Sequence, residues 1–330
     1  MARRGDRLSQ EKFPKISDPC VKRPIAPTFP ETDMIRKQKW LPAWLRNLLN
    51  DVLFLSRERK LWSGPHEHRS FPAANVIWGS PLPDISDTPA PAIVFAAGDA
   101  CYIQRYAPLL AESLALQNTR LPLHFHQMSA EQEGLAVLEE LNRRWPFISW
   151  SHDTFDVNGS DRHIRLCQCM RFDALRILMR KTGSSVLLLD IDSVFNADPS
   201  PWLTRFHQQG DLGILRRGNQ ITLAKRYMAG CMWFRHTPAV MSFLDKYTLR
   251  MRKHLRLPDI DFLDQRSLWL TLLEKRADVG VFYLARQFVS WNVRENSIIF
   301  TAKGKKERNR YLNSGASDAE AQPAARNTAA

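Results

Sequence analysis

The sequence has few cysteines and no long hydrophobic run, and each shortage excludes a class of protein. Only five of its 330 residues are cysteine, and none of them forms a Cys-X-X-Cys pair. Cysteines scattered in this way argue against a disulfide framework and against a structural zinc site. No stretch reaches the roughly 18 apolar residues of a transmembrane helix, and the basic first ten residues are not followed by an apolar segment. We therefore expect a cytoplasmic protein without a secretion signal or a membrane span.

Charge of one sign is in excess, which limits the kinds of partner. Lysine and arginine together number 47 against 34 acidic residues, giving a formal net charge of +13. Such a surface favours anionic partners such as nucleic acid, phosphorylated ligands or acidic lipid. No zinc finger, helix-turn-helix or aromatic-basic RNA motif is present, so we expect no specific nucleic-acid recognition. A non-catalytic basic binding module remains one alternative.

The composition divides the chain into three regions. Residues 1–90 form a basic extension whose many prolines deny it a continuous core. Residues 91–313 alternate apolar runs with amphipathic stretches and form the predicted main domain. Residues 314–330 are small and polar, and we expect them to be disordered.

Within the extension, an amphipathic helix is predicted near residues 41–55. Pro42 stands near its start, where proline is favoured. Cations flank it on both sides, so residues 34–62 could lie on an anionic membrane surface. The alternative is that the helix docks on the main domain or on a second subunit. Its apolar face comprises Trp44, Leu45, Leu48, Leu49, Val52 and Leu53.

The main domain begins with strands and helices in turn, which predicts an α/β fold. Four apolar strands are expected at 92–97, 121–128, 147–150 and 185–190, separated by three helices. The second helix is expected to start after Ser129 as its N-cap. Such an order favours a parallel sheet covered on both faces, and later segments add further strands to make the sheet mixed. Ligands of these sheets gather at the carboxyl ends of the strands.

Two carboxylates, Asp190 and Asp192, follow the apolar run of the fourth strand. Residues two apart in a strand point to the same side, so their charges would repel and a positive group is expected between them. One interpretation is that they cap a helix or pair with nearby arginine and lysine. The other is a shared Mg²⁺ or Mn²⁺ ion, which takes oxygen ligands and could bridge to a phosphate-bearing substrate.

Five short motifs in order resemble nucleotide-sugar glycosyltransferases of the GT-A fold. The resemblance is strongest to the glycogenin and bacterial lipopolysaccharide galactosyltransferase type, and it covers residues 93–306. It implies a Rossmann-like GT-A domain with a mixed sheet. The motifs are Ala-Ala-Gly-Asp at 96–99, Arg-Phe-Asp-Ala-Leu-Arg at 171–176, Asp-Ile-Asp at 190–192, Met-Ala-Gly-Cys at 228–231 and Asp-Gln at 264–265.

The resemblance implies a donor-binding role for residues at the first strand end and on the following helix. Ala96, Ala97 and Asp99 would line a nucleoside pocket. Tyr102 would pack its ring against the base, and Arg171 would contact the donor near its diphosphate or sugar.

The resemblance also implies roles around the reaction centre. Asp190 would face the ribose and sugar, and Asp192 would ligate Mn²⁺ or Mg²⁺; both are candidate metal ligands. Gly230 would form a close-approach strand under the sugar. Asp264 and Gln265 would lie on the acceptor side, as catalytic candidates, although Asp264 could also serve only as an N-cap.

The late motif departs from the family pattern. The family usually has a histidine that binds the metal and a lysine that holds the diphosphate, whereas here Thr301 stands in place of the histidine. Lys303, Lys305 and Lys306 remain as a basic cluster. Fewer protein ligands, a substitute such as Asn296, or leaving-group stabilisation by the lysines would compensate.

A competing interpretation uses the same two aspartates. A haloacid-dehalogenase-like phosphohydrolase would use Asp190 as a nucleophile and Asp192 as a general acid and base. That family opens its domain with this strand, whereas three strand-helix units precede it here. For the cysteines at 167 and 169 and for His124, His126, His152 and His163, we expect packing or other structural roles.

These considerations favour a metal-dependent enzyme that moves a sugar from a nucleotide diphosphate donor, most simply a UDP-sugar. The acceptor would be an envelope glycan, a lipid or a protein. If the 41–55 helix binds lipid, the enzyme would be peripheral at the inner face of a membrane.

Overall fold

A computed structural model describes residues 42–63, 73–82, 92–119, 121–154, 163–218, 220, 222–255, 261–291 and 297–301. The predicted 314–330 tail, the cluster of Lys303, Lys305 and Lys306, and Asn296 lie outside these residues. Only part of the 1–90 extension is described. No helix of the described ranges is long and apolar enough to cross a membrane.

Eleven strands of the described residues form two sheets. The larger sheet has eight strands in the order β1-β4-β3-β2-β5-β8-β7-β9, and the smaller has the order β10-β11-β6. The strands are β1 Val76–Trp78, β2 Ala92–Gly98, β3 Leu123–Gln127, β4 Ile148–Asp153, β5 Ser185–Asp190, β6 Ser193–Phe195, β7 Leu212–Arg216, β8 Tyr227–Phe234, β9 Val281–Tyr283, β10 Val289–Ser290 and β11 Ile299–Thr301.

The larger sheet is mixed, which confirms the predicted α/β class. Strands β4, β3, β2 and β5 run parallel, as the strand-helix alternation predicts. Strand β8 is antiparallel to β5, and β7 is antiparallel to β8. Strand β2 is buried along its whole length, as its continuous apolar sequence requires of a central strand. The carboxyl ends of β2 and β5 therefore lie side by side at one edge of the sheet.

Helices cover both faces of this sheet, and each face has its own hydrophobic cluster. The first cluster joins α1, α4, α7 and α8 to the sheet, and the second joins α2, α3 and α5 to the opposite face. The helices are α1 Ala43–Ser63, α2 Ala100–Ala115, α3 Gln132–Arg144, α4 His163–Thr182, α5 Ser200–Gln209, α6 Leu223–Arg226, α7 Pro238–His254 and α8 Leu263–Lys275.

Local sequence explains where several helices start and stop. The Asp99 side chain caps α2 by accepting the Tyr102 N–H, at 2.8 Å from Oδ1 to nitrogen. The Thr237 hydroxyl caps α7, with Pro238 at its first position. After α4, Gly183 adopts a positive φ of 67°, which glycine tolerates without steric cost.

Two expectations differ from the structure. Ser129 is not an N-cap: α3 starts at Gln132 after Glu131. The Gln127 side-chain amide donates to the backbone carbonyls of Ser129 and Glu131. These two hydrogen bonds hold residues 129–131 as a turn before the helix. Cys101 is disulfide-bonded, although the scattered cysteines argue against a disulfide framework; Cys167, Cys169 and Cys231 are free.

Helix α1 is longer than the predicted 41–55 segment, and it docks on the main domain through polar contacts. Asp51 accepts from the fully buried Arg266, at 2.8 Å from Oδ1 to Nε. Glu58 accepts from Arg250 at 2.6 Å and lies 2.6 Å from His254 Nε2. The docking alternative for this helix therefore describes one of its faces. That face is held by these ion pairs and by the fully buried Phe54, whose ring stacks on His254 and which was not among the predicted apolar side chains.

Candidate functional site

Strand β5 ends at Asp190, and the two predicted metal ligands lie in different backbone environments. Residues 191 and 192 form a turn that leads into β6, and the buried side chain of Ile191 anchors this turn in the core. The alternation of a strand therefore does not extend to Asp192, and the argument that both side chains share one strand face does not apply. Both carboxylates nevertheless belong to the carboxyl end of β5.

Arg171 of α4 is the positive group beside Asp190. Its Nη1 donates to Asp190 Oδ1, and its Nη2 donates to the Ala229 carbonyl at 3.0 Å. The same Nη2 lies 3.5 Å from Asp264 Oδ2. The Arg171 side chain is only 10% exposed. A buried charge needs partners of opposite sign, and the carboxylates of Asp190 and Asp264 provide them. One arginine thus joins β5, β8 and α8 at this edge of the sheet.

Gly230 provides the space that the Asp190 carboxylate occupies. A Cβ added to Gly230 would lie 2.1 Å from Asp190 Oδ2 and 2.8 Å from its Cγ. No side chain can stand at this position without displacing the carboxylate. The sequence resemblance implies a close approach at Gly230, and the geometry shows the group that approaches: the side chain of Asp190 from the neighbouring strand.

Asp264, in the first turn of α8, is buried with only 5% of its side chain exposed. Burial raises the pKa of this carboxyl, and Arg171 offsets part of that effect. Its Oδ1 has no hydrogen-bond partner among the described residues. The N-cap of α8 is Phe262, so Asp264 does not have the capping role that was the alternative. An orphaned carboxylate oxygen beside an arginine is a candidate contact for a polar ligand.

Gln265 points away from Asp264. With its amide nitrogen directed to the backbone, it donates to Ala224 O at 2.5 Å and Tyr227 O at 3.0 Å. These carbonyls belong to the segment that leads into β8. The contacts fix α8 to that segment, so the structure gives the Gln265 side chain a positioning contact.

The residues that were predicted to line a nucleoside pocket lie at the end of β2 and the start of α2. Ala96 and Ala97 are buried in the strand, and Ala97 stands beside Asp190 in the parallel register of β2 and β5. Tyr102 is partly exposed on α2. A Cβ at Gly98 would lie 3.0 Å from Tyr102 Cβ and 3.4 Å from Ile191 Cδ1. The Tyr102 end of this region is therefore close to the turn between the two aspartates.

Asp99 has a partner that sequence reasoning missed. Its Oδ2 lies 2.6 Å from His163 Nε2 at the start of α4. The four histidines show no familiar ligand spacing in the sequence, and 64 residues separate this pair. The signal that could have found it is topological, because the end of β2 and the start of α4 both lie at the ligand-binding edge.

Thr301 lies next to the aspartate turn, although it is no substitute for a histidine. Strand β11 pairs with β6 so that Thr301 stands opposite Ser193, and the two hydroxyl oxygens are 2.9 Å apart. Ser193 directly follows Asp192. The segment that continues into the basic cluster at 303–306 therefore starts beside the candidate metal ligands.

The described residues fit a hard divalent cation at this edge. Asp190 is 37% exposed at its side chain, Asp192 is half-buried in the turn, and carboxylates are ligands that Mg²⁺ and Mn²⁺ accept. The missing side chain of Gly230 lets the Asp190 carboxylate take its position at this edge. Asp190 Oδ1 is engaged by Arg171, so an ion at this edge would share the Asp190 carboxylate with the arginine.

Comparisons with known proteins give distant structural similarities only. No protein-family model and no curated protein matches the sequence. Among solved structures, the apo form of the bifunctional glycosyltransferase WbbM matches with a TM-score of 0.48 and 14% identity over 68% of this chain and 47% of its own. The galactosyltransferase LgtC, in complex with donor and acceptor sugar analogues, matches with a TM-score of 0.47 and 16% identity over 68% of this chain and 95% of its own.

A third similar structure is the apo form of the glycosyltransferase GlyE of Streptococcus pneumoniae. It has a TM-score of 0.49 and 15% identity, over 69% of this chain and 60% of its own. All three structures are described as glycosyltransferases. At TM-scores below 0.5, the similarities alone assign no activity to this chain.

Proposed function

We propose that this protein is a metal-dependent glycosyltransferase that takes a sugar from a nucleotide diphosphate donor, UDP-linked, and moves it to a glycan, lipid or protein acceptor. The observation that carries the proposal is the buried Arg171, which holds Asp190 over Gly230 and lies against Asp264. The five sequence motifs converge on this edge or on the strand end next to it.

The donor would lie along the carboxyl ends of β2 and β5. At one end, Tyr102 offers a partly exposed ring and Ala96 and Ala97 offer small side chains under a base. At the other end, the Asp190 carboxylate accepts hydrogen bonds from sugar hydroxyls. Arg171 orients that carboxylate, because its guanidinium is fixed between Asp190 and the Ala229 carbonyl.

Asp192, together with Asp190, would hold the cation. A bound Mn²⁺ or Mg²⁺ supplies charge neutralisation for the departing diphosphate. Lys303, Lys305 and Lys306 follow in sequence the strand that pairs beside Asp192, and this position in the chain supports a role in holding the same phosphates.

On the acceptor side, the orphaned Oδ1 of Asp264 supports a hydrogen bond to an acceptor hydroxyl. Its raised pKa, a consequence of burial, makes this carboxyl a better proton acceptor than an ordinary aspartate. Gln265 acts through position, because its amide ties α8 to the backbone before β8.

The proposal is tested by a donor screen that measures release of nucleoside diphosphate from the full chain with Mn²⁺. Asp192→Asn should abolish release. The matched control is Asp278→Asn: Asp278 is exposed in a surface pair with Lys275 and precedes β9, at the opposite edge of the sheet. Full turnover in Asp192→Asn would contradict the metal assignment.

Two further arms separate the alternatives. Release of phosphate from phosphomonoesters that depends on Asp190 would contradict the proposal and show that the protein is a phosphohydrolase. Salt-sensitive RNA binding with neither reaction would replace it by a basic binding module.

For α1 we propose a second contact, with an anionic lipid surface. Its docked face combines ion pairs with the buried Phe54. A stripe of large apolar side chains on another face is exposed, and cations stand at the carboxyl end of the helix. Trp44 is 63% and Val52 is 60% exposed, and a single apolar stripe of this kind favours an interfacial helix. The stripe comprises Trp44, Leu48, Val52 and Leu55, and the exposed cations are Arg59 and Lys60.

The lipid contact is tested by sedimentation with phosphatidylserine-containing vesicles. Deleting 34–62 would remove Asp51 and Glu58, the partners of buried arginines, so point variants are preferable. Trp44→Ser with Val52→Ser should reduce partition to the level seen with neutral vesicles. If the variant and the unaltered chain sediment with these vesicles to the same extent, the proposed lipid contact of α1 is wrong.

A further inference from the structure

Three side chains with metal-binding atoms meet where β2 ends and α4 begins. Asp99 directly follows β2 and caps α2. His163 is the first residue of α4, and Cys167 follows one helical turn later on the same face. Two elements that are far apart in sequence thus bring a carboxylate, an imidazole and a thiol together.

Their ligand atoms are close enough to share one ion. Asp99 Oδ2 lies 2.6 Å from His163 Nε2, and Cys167 Sγ lies 4.0 Å from the same nitrogen. All three atoms lie within 4.8 Å of one another, and each side chain is half-buried. Asp99 is also oriented from its other oxygen, which accepts the Tyr102 N–H at 2.8 Å.

We propose that Asp99, His163 and Cys167 form a binding site for a borderline-soft divalent cation, Zn²⁺ in particular, with a fourth position left for water or a ligand. In a tetrahedral zinc site the ligand atoms stand about 3.3–3.6 Å apart, given bond lengths of roughly 2.0–2.3 Å. The imidazole and carboxylate would move apart by less than an ångström as the ion replaces their hydrogen bond, and the thiol would move closer.

The donor atoms distinguish this site from the one at Asp190 and Asp192. A thiolate and an imidazole select zinc-like ions, whereas carboxylates alone suit Mg²⁺ and Mn²⁺. Burial raises the pKa of the Cys167 thiol, and its contact with His163 offsets part of this effect. Binding must therefore displace a proton, so the affinity should rise with pH.

The inference goes beyond the proposed function and shares one residue with it. Asp99 is also a candidate for nucleoside binding, so an ion here would draw that carboxylate away from a base. For this reason the site is tested by metal binding in the absence of nucleotide.

The experiment is a titration of the full chain with Co²⁺, followed by absorption. Wild type should bind one equivalent with a thiolate-to-cobalt charge-transfer band and the visible bands of a tetrahedral site, both removed by Zn²⁺. Cys167→Ser should lose the charge-transfer band. The matched control is Cys169→Ser, because Cys169 is a free and buried thiol two residues further along the same helix.

His163→Gln is the second variant, in case Cys167→Ser fails to fold as judged by circular dichroism. It should weaken Co²⁺ binding at least tenfold. Asp192→Asn should keep the charge-transfer band. A wrong assignment of the donor site would therefore leave this result unchanged, and the two hypotheses can be tested separately. A wild-type protein without the band, or a band that survives in Cys167→Ser, would overturn the inference.

Discussion

The carboxylate of Asp190 lies in the space where Gly230 lacks a side chain. A Cβ on Gly230 would stand 2.1 Å from Asp190 Oδ2, well inside van der Waals contact. The two residues come from antiparallel neighbours, β5 and β8, so the sheet itself fixes their relationship. The position of a carboxylate at the ligand-binding edge therefore depends on the absence of one methyl group in the next strand.

Gly230→Ala should displace Asp190 and reduce donor turnover at least tenfold. Overpacking of a tight site costs about 1–3 kcal/mol of unfolding free energy, so the thermal midpoint should also fall. Gly218→Ala is the matched control, because no atom lies within 4 Å of its added Cβ. Equal turnover in the two variants would show that the close approach has no part in activity.

Arg171→Met should destabilise the fold, because it leaves the buried Asp264 carboxylate without its cation. Breaking a buried pair by removing one partner costs about 3–5 kcal/mol. The double variant Arg171→Met with Asp264→Asn should recover part of this loss, as measured by urea unfolding. A single variant as stable as the unaltered chain would contradict the ion-pair account.

Two buried histidines should make the fold sensitive to acid. Burial lowers the pKa of His124 and of His126 from 6.5 to about 3. Because the pKa is lower in the folded state, the contribution of each neutral ring to the free energy of unfolding is fully present above pH 6.5. This contribution is lost as the pH falls towards 3. Each ring contributes at most about 1.4 kcal/mol per pH unit.

This dependence is measured by urea unfolding between pH 7 and pH 4. His124→Gln should reduce the slope by the contribution of one ring, since Gln carries no titrating group. The control is the same substitution at the exposed His236. An unaltered slope in His124→Gln would show that this ring titrates as it does in the unfolded chain.

Glu58→Gln should loosen α1 from the main domain. Glu58 accepts from the fully buried Arg250 and contacts His254, so the variant weakens a charge-assisted contact worth about 1.5–3 kcal/mol. Hydrogen exchange of α1 amides should rise. Glu139→Gln, at an exposed position on α3, should have no effect; similar exchange in both variants would mean that the ion pairs do not hold α1.

The sequence predicts the parts of the fold that depend on local patterns. The apolar segment at 185–190 becomes β5 with the same bounds. Short strands such as β6 were not predicted, because a three-residue strand has too little periodicity to detect. Their existence depends on a partner strand more than 100 residues away.

The candidate site was predicted as a set of residues and not as a set of contacts. Asp190, Gly230 and Arg171 are each recognisable from a motif, but the arginine between two carboxylates is a property of the folded sheet. The contacts of Asp51 with Arg266 and of Asp99 with His163 carry no local signal, since 215 and 64 residues separate the partners. The apolar pattern of α1 did not show which face docks, because that face depends on Phe54 and on ion pairs with residues that are distant in sequence.

The most direct test of the donor site is a calorimetric titration of the full chain with UDP, with and without Mn²⁺. The account predicts binding that needs the metal, is weakened at least tenfold in Asp192→Asn and is unchanged in Asp278→Asn. Binding of equal strength in both variants, or no binding of UDP by the unaltered chain in the presence of Mn²⁺, would contradict a UDP site at the carboxyl edge of β2 and β5.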